Sequence, residues 1–228
     1  MIFFKTPILK MIRNQLRKER MERSSHTTRF MNISLKDSQT KYNLMRAFAG
    51  ESQARNRYTF ASELAHQKKL PLLEQLFKFT ADQEKAHAKV FYDFLKDCTG
   101  ENILIDGSYP VDYGCDVAFQ LEKAHHNEYE EYETVYPHFA SVAEQEGFAP
   151  IAHAFREIAK VEKVHGDRFE YYYQLLKNDT LFTEKPSGTF MCLNCGYIYE
   201  GETAPTNCPV CKEEQGYFIR IDEAPFQR

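Results

Sequence analysis

No stretch of this 228-residue chain approaches the roughly 18 consecutive apolar residues that a bilayer-spanning helix needs, so no membrane span is expected. Positive charge is not in excess either. The formal net charge is −4, which gives nucleic acid no reason to be a partner. The cysteines also lack the spacing of a disulfide framework. Of the six, four form two Cys-x-x-Cys pairs, Cys192/Cys195 and Cys208/Cys211, while Cys98 and Cys115 stand alone. Such pairs read as a tetrathiolate metal site and point to a reducing, cytoplasmic compartment.

With 43% apolar residues the chain can build one good-sized domain and a small one. Its charge is uneven. Residues 1–30 carry eight Lys/Arg against Glu19 and Glu22, whereas residues 189–228 carry three basic and six acidic groups. The middle of the chain is left acidic and suited to cations. The first stretch does not read as a secretory signal, because Lys5, Pro7 and Lys10 interrupt its apolar core and the arginines follow it. Residues 1–31 are taken as an extension, either an organelle presequence or the product of a start assigned upstream of Met31.

Helical periodicity marks four segments. The first carries Leu44, Phe48, Glu51, Ala54, Tyr58 and Ala65. The second carries Leu73, Leu76, Phe77, Thr80, Glu84, His87, Phe91 and Phe94, with Pro71 in its first turn and Gly100 beyond its end. The third runs through Leu121, Ala124, Glu128, Glu131, Val135, Phe139 and Val142, with Pro137 as an expected kink. The fourth opens at Pro150 and carries Ile151, Phe155, Ile158, Glu162, His165, Phe169, Tyr172 and Leu176. Glu51 to Glu84 and Glu128 to Glu162 are each about one helical hairpin, and the turn-rich loop Thr99–Cys115 lies between the halves. Two hairpins joined by a long crossover make a mainly α, ferritin-like four-helix bundle over residues 32–178. Residues 179–188 read as a linker. The remainder, 189–228, is too short for a sufficient core and is expected to be stapled by metal.

The acidic groups lie on the apolar stripes, not opposite them. Carboxylates in a core need a cation or a partner, and the stripes offer almost no Lys or Arg. That argues against a metal-free scaffold. Glu84-x-x-His87 and Glu162-x-x-His165 occur in matched repeats, and i, i+3 groups share a helix face. One Glu from each of two helices plus Glu-x-x-His from each of two others is the di-iron carboxylate arrangement. In this reading Glu84 and Glu162 bridge two iron ions, His87 and His165 bind one each, and Glu51 and Glu128 are terminal. Glu131 is a seventh candidate. Four carboxylates balance two Fe(II), so a fifth suits the oxidised pair, with His87 replacing Glu131 on reduction. Its competitor is a Glu131 paired with a surface Lys or Arg. The four cysteines suit zinc or a single iron, and on the cysteines alone zinc is favoured. The neighbouring di-iron bundle favours iron, which could feed it electrons.

Gly50-Glu51-Ser-Gln-Ala-Arg-Asn-Arg-Tyr58, the two Glu-Lys-x-His units, Asn127-Glu128-x-x-Glu131 leading to Tyr136-Pro137, and the terminal Cys-x-x-Cys pairs together resemble the rubrerythrin family over residues 32–228. The resemblance implies a non-haem peroxidase that reduces hydrogen peroxide to water. Its electrons would pass through a rubredoxin-like Fe(Cys)4 centre, and the upstream donor would be an NAD(P)H-dependent reductase or a small rubredoxin. It also implies a homodimer, and it gives Tyr58 and Tyr136 the part of tyrosines hydrogen-bonded to the carboxylates. Lys212 departs from the pattern, since rubredoxin knuckles commonly carry Gly there. The alternative is an iron-oxidation or storage protein whose C-terminal site is a zinc-ribbon interaction module.

Overall fold

Four helical rods run where the periodicity places them. The computed structural model describes residues 33–225; the expected extension at 1–31 lies outside them. Helix α1 spans Gln39–Gln67 and α2 spans Pro71–Phe94. The third rod is α3, Val117–Glu130, continued by a π-helical turn, Glu131–Val135, and α4, Tyr136–Gln145. The last is α5, Ala149–Lys177. No helix among the described residues is long and apolar enough to cross a membrane.

Local chemistry sets the ends. Ser38 caps α1 by accepting from the Lys41 amide at 3.1 Å. Glu146, just past α4, caps the same end from across the bundle: it accepts from the Gln39 and Thr40 amides, both at 2.8 Å, and from the Thr40 hydroxyl at 2.6 Å. A carboxylate on exposed helix N–H groups is favoured by hydrogen bonding and by the helix dipole. Glu146→Ala is therefore expected to cost about 1–2 kcal/mol in urea unfolding. At the tight turns, Leu70 N–H reaches Ala65 O at 3.0 Å and Phe148 N–H reaches Ala143 O at 2.8 Å, with Lys69 and Gly147 at positive φ.

Helix α1 packs on α2, and α3 and α4 pack on α5, giving the two hairpins expected from spacing. Between them, residues 99–116 carry no helix or strand and cross over the bundle. The apolar core is in two halves with an acidic layer between them. Tyr58, Phe77 and Phe169 stack in one half, with ring centroids 5.0–6.3 Å apart. Tyr136, Phe91 and Phe155 do so in the other, at 5.0–5.9 Å. The halves are counterparts, because a Phe precedes and follows each Glu of the Glu-x-x-His units by two helical turns.

The third rod departs from a simple proline kink. Pro137 has no N–H for the ladder, and the chain takes up a π turn directly before it. Glu51 to Tyr58 is seven residues but Glu128 to Tyr136 is eight. The wider turn absorbs the extra residue, so both tyrosines face the core and Glu131 falls inside the bulge.

The C-terminal strands are β1 (Thr183–Cys192), β2 (Ile198–Thr203) and β3 (Phe218–Arg220), antiparallel in the order β2-β1-β3. Strand β1 takes in much of the expected linker: Thr183 pairs with Thr203 and Gly188 with Gly201, with an irregularity between. Strand β3 pairs only with Phe190–Cys192. Pro186 thus falls in the irregular stretch, where a missing donor costs no regular ladder bond. Phe190, Cys192, Ala204, Cys208 and Phe218 form a small core of their own. Leu181, Ile219 and Ala224 join the bundle's core instead. At the contact with the α1–α2 turn, a Cβ on Gly216 would lie 2.2 Å from Lys69 O, so only glycine permits that approach.

Candidate metal centres

Six of the seven expected bundle ligands converge in the acidic layer. Glu51, Glu84, Glu128, Glu162 and His165 are buried, and His87 is 12% exposed at the side chain. His87 Nδ1 lies 3.2 Å from Glu84 Oε2, 3.1 Å from Glu162 Oε1 and 3.7 Å from Glu51 Oε2. His165 Nδ1 lies 2.9 Å from Glu84 Oε1, 3.0 Å from Glu162 Oε2 and 3.6 Å from Glu128 Oε2. The imidazoles stack with centroids 5.6 Å apart. Two donor sets result, Glu51/Glu84/His87/Glu162 and Glu84/Glu128/Glu162/His165, each with its atoms within 4.8 Å of one another. Glu84 and Glu162 belong to both, so each offers one oxygen to either ion.

His87 Nδ1 and Glu84 Oε2 are hydrogen-bonded, but the other atoms are close without being aimed at each other. Glu51 Oε2, Glu84 Oε1, Glu128 Oε2, both Glu162 oxygens and both His165 nitrogens are buried with no aligned hydrogen bond. Orphaned buried polar atoms at such density are costly unless they share a cation. Among the described residues no Lys or Arg forms an ion pair with any of the four carboxylates. Six N/O donors in two sets, with two shared carboxylates, fit a pair of iron ions.

Electrostatics report the same strain. Burial, then the Glu162 charge, holds the Glu51 carboxyl well above its usual range. Burial and the Glu84 charge push Glu128 up to about 8. Burial also works against Glu84, but the His165 and His87 rings outweigh it and hold that carboxyl at about 2. Despite burial, Glu128, Glu162 and Glu84 raise His165 to about 11, and Glu162, Glu51 and Glu84 raise His87.

The two tyrosines cross over between hairpins. Tyr58 on α1 donates to Glu128 Oε1, and Tyr136 on α4 donates to Glu51 Oε1. Each therefore holds the carboxylate that serves only one donor set. Burial comes first in raising both phenols, followed by the Glu128 charge at Tyr58 and the Glu131 charge at Tyr136.

Glu131 stands outside both sets. Its side chain forms no ion pair or hydrogen bond among the described residues, so no surface Lys or Arg there is its partner. Its Oε1 lies 3.9 Å from where a Cβ on Gly50 would sit, and the Tyr109 ring is 3.7 Å from the same point. There it lines a cavity of about 330 Å³ under the crossover loop, along with Gln53, Arg57, Asn127 and Tyr136. Sequence reasoning did not single out Tyr109, and it met Arg57 and Asn127 only as positions within quoted motifs, with no role given to either. The available signal was Gly50, a glycine inside a helix, which marks a close approach.

In the C-terminal domain the four thiol sulfurs lie within 4.8 Å of one another. Cys192–Cys211 is 3.7 Å and Cys195–Cys208 is 3.6 Å. A tetrahedral ion with metal–sulfur bonds of about 2.3 Å has edges of about 3.8 Å, so the knuckles fit one ion. Asn194 and the Glu213 backbone favour the Cys211 thiolate, down at about 6, while burial pushes Cys192 up to about 12. Gly196 has φ 76° in the first knuckle and Lys212 has φ 70° at the matching place in the second. The lysine thus adopts a backbone that glycine takes freely, and its Nζ donates to Pro209 O at 2.7 Å. Lys212→Gly is expected to be neutral or to stabilise the metal-loaded domain by up to about 1 kcal/mol in thermal unfolding.

Comparison with known proteins agrees with both centres. The rubrerythrin family model matches residues 42–173, and the model of the rubrerythrin rubredoxin-like domain matches residues 190–219. A rubrerythrin of Clostridium perfringens is 43% identical over 81% of this chain and 95% of its own. Rubrerythrin-1 of Clostridium acetobutylicum is 44% identical over 83% and 98%. Among solved structures, mixed-valence nigerythrin is similar with a TM-score of 0.54 and 27% identity, covering 81% of this chain and 90% of that one.

Proposed function

The chain belongs to the rubrerythrin family, and from that premise we propose that it is a peroxidase reducing hydrogen peroxide to water. One observation carries the reading: the chain that gathers a two-ion acid cluster also folds a four-thiolate knuckle against the same bundle. A carboxylate-held iron pair supplies two one-electron reductants at one place, and a thiolate-held iron supplies single electrons to restore them.

The chain's own groups do the rest. Glu84 and Glu162, which belong to both donor sets, would hold both ions, Glu51 and Glu128 would each hold one, and His87 and His165 would each hold one. Tyr58 and Tyr136 fix the Glu128 and Glu51 carboxylates, and their hydroxyls can move protons to departing oxygen. The cavity below Tyr109 gives peroxide its approach. Glu131 and His87 are the exchangeable pair: His87 lies against the cluster in this structure while Glu131 stands in the cavity. Binding of Glu131 in the oxidised state would add the fifth negative charge that the higher ionic charge calls for.

Electrons are expected to cross between copies of the chain. The knuckle domain sits at Lys69–Pro71, and α2 runs about 20 Å from Pro71 to Glu84. Tunnelling falls exponentially with distance, so a homodimer that brings one copy's knuckle to the other's His87 face shortens the path. Val90 and Val164, apolar and 39% and 53% exposed, flank the two histidines in sequence and suit such a contact. A rubredoxin or an NAD(P)H-dependent reductase is the upstream donor in this reading, in a reducing cytoplasm that keeps the thiols free.

The test is visible absorption combined with turnover. The iron-loaded protein should show thiolate-to-iron absorption that bleaches on anaerobic reduction and returns on addition of stoichiometric peroxide. A knuckle without visible absorption, together with iron oxidation by oxygen in place of peroxide turnover, would favour the storage reading.

A further inference from the structure

Glu131 needs a position to occupy whenever it is not a ligand. We propose that Arg57, clamped by Asp112, is the positioning residue that stabilises the Glu131 carboxylate in the cavity and so sets how readily it exchanges with His87. This rests on the exchange described above.

Arg57 lies on α1 two turns beyond Gly50, with 17% of its side chain exposed. Its Nε donates to Gln53 Oε1, one turn back, at 2.6 Å. That bond draws the guanidinium along the helix toward Gly50, beside which Glu131 stands. Nη1 meets Asp112 Oδ2 at 3.3 Å, and the same oxygen accepts from Asn127 Nδ2 at 2.8 Å. Asn127 is one turn before Glu131 on the third rod. The crossover loop, α1 and α3 are thus tied together at one wall of the cavity that Glu131 lines. Nη2 of Arg57 is not used in these bonds. Arg46, the other guanidinium at the cavity, is spent on Asn43 and Asp106. Of the charges that bear on Glu131, those of Glu128, Glu162 and Glu84 all disfavour its ionised form, and Arg57 opposes them.

Without Arg57 a charged Glu131 loses its countercharge in the cavity. The ligand position, which belongs to the oxidised state, becomes relatively more favourable. Arg57→Gln should therefore change the balance of the two positions about tenfold, read as a fall of about 30 mV in the two-electron potential of the iron pair. The measurement is a spectroscopic redox titration of the loaded protein for Arg57→Gln, Glu131→Gln and the double variant. If Arg57 acts through Glu131, its effect disappears in the Glu131→Gln background. A shift that persists there at full size is a through-space charge effect and overturns the proposal, as does a wild-type potential in Arg57→Gln. Asp112→Asn, which releases the guanidinium from its clamp, should also lower the potential while Glu131 is present, whereas loss of the Asp112 charge by itself would raise it. That variant decides the matter should Arg57→Gln not fold. A Glu131→Gln potential equal to wild type would instead remove the exchange reading, and this inference with it.

Discussion

Stripped of its bundle metals, the protein is expected to become less stable as pH rises from about 5 to 8, while the metal-loaded form changes little. The cause is proton linkage. Glu128 in the folded, metal-free bundle sits near 8, and Glu51 and Glu131 are also raised well above their ordinary range, chiefly by burial. A group whose folded pKa is raised contributes stability in full below its unfolded pKa and loses it as pH climbs through the folded value. Between those limits each such proton costs about 1.4 kcal/mol per pH unit. The raised histidines act in the same direction above their unfolded pKa of about 6.5. Glu84, held at about 2, has the opposite dependence, but its loss lies below the window. Metal-free protein should therefore unfold at a markedly lower temperature at pH 8 than at pH 5, and iron should remove most of the difference. Thermal unfolding at matched ionic strength checks this, and pH-independent unfolding of the metal-free protein would contradict it.

The second large effect is expected from Glu162→Ala. Glu162 offers one oxygen to each donor set, and both oxygens lack an aligned hydrogen-bond partner. Its removal would take a donor from both sets at once. Bundle iron should fall toward zero, and peroxide turnover should drop by about 10³-fold or more, the scale for losing a metal-dependent step. The thiolate absorption of the knuckle should be unchanged, because that site shares no ligand with the bundle. Glu51→Ala belongs to one set only and should leave one ion better held than the other. Metal analysis beside the spectrum separates these outcomes from general unfolding. Equal iron loss in the two variants would contradict the distinction between shared and unshared carboxylates.

Much of the architecture follows from spacing alone. A Glu and a His three residues apart on a helix share a face, so Glu84/His87 and Glu162/His165 are legible as facing sites from sequence alone. The hairpin-length intervals between acidic residues gave the order of the rods. Cys-x-x-Cys pairs close on themselves because a knuckle is local. Less accessible were features that depend on two distant segments meeting. Pro186-Ser187-Gly188 has the composition of a linker, yet β2 captures it as an irregular strand. The extra residue between Glu128 and Tyr136 was present in the count, but only the packed rod turns it into a π bulge that leaves Glu131 outside the cluster.

Periodicity and charge in the chain itself were enough to require a bundle with an interior too acidic to stay ionised without cations, and a thiolate site after it. Both conclusions are local: they need a helix repeat, a ligand interval and the cost of burying charge. The partner of Tyr58, the tether between Arg57 and Asp112, and the fit of Gly216 against Lys69 are set by which surfaces meet across more than fifty residues of sequence. Their geometry follows from the packing of rods, loop and knuckle, where a few tenths of an ångström decide between contact and clash.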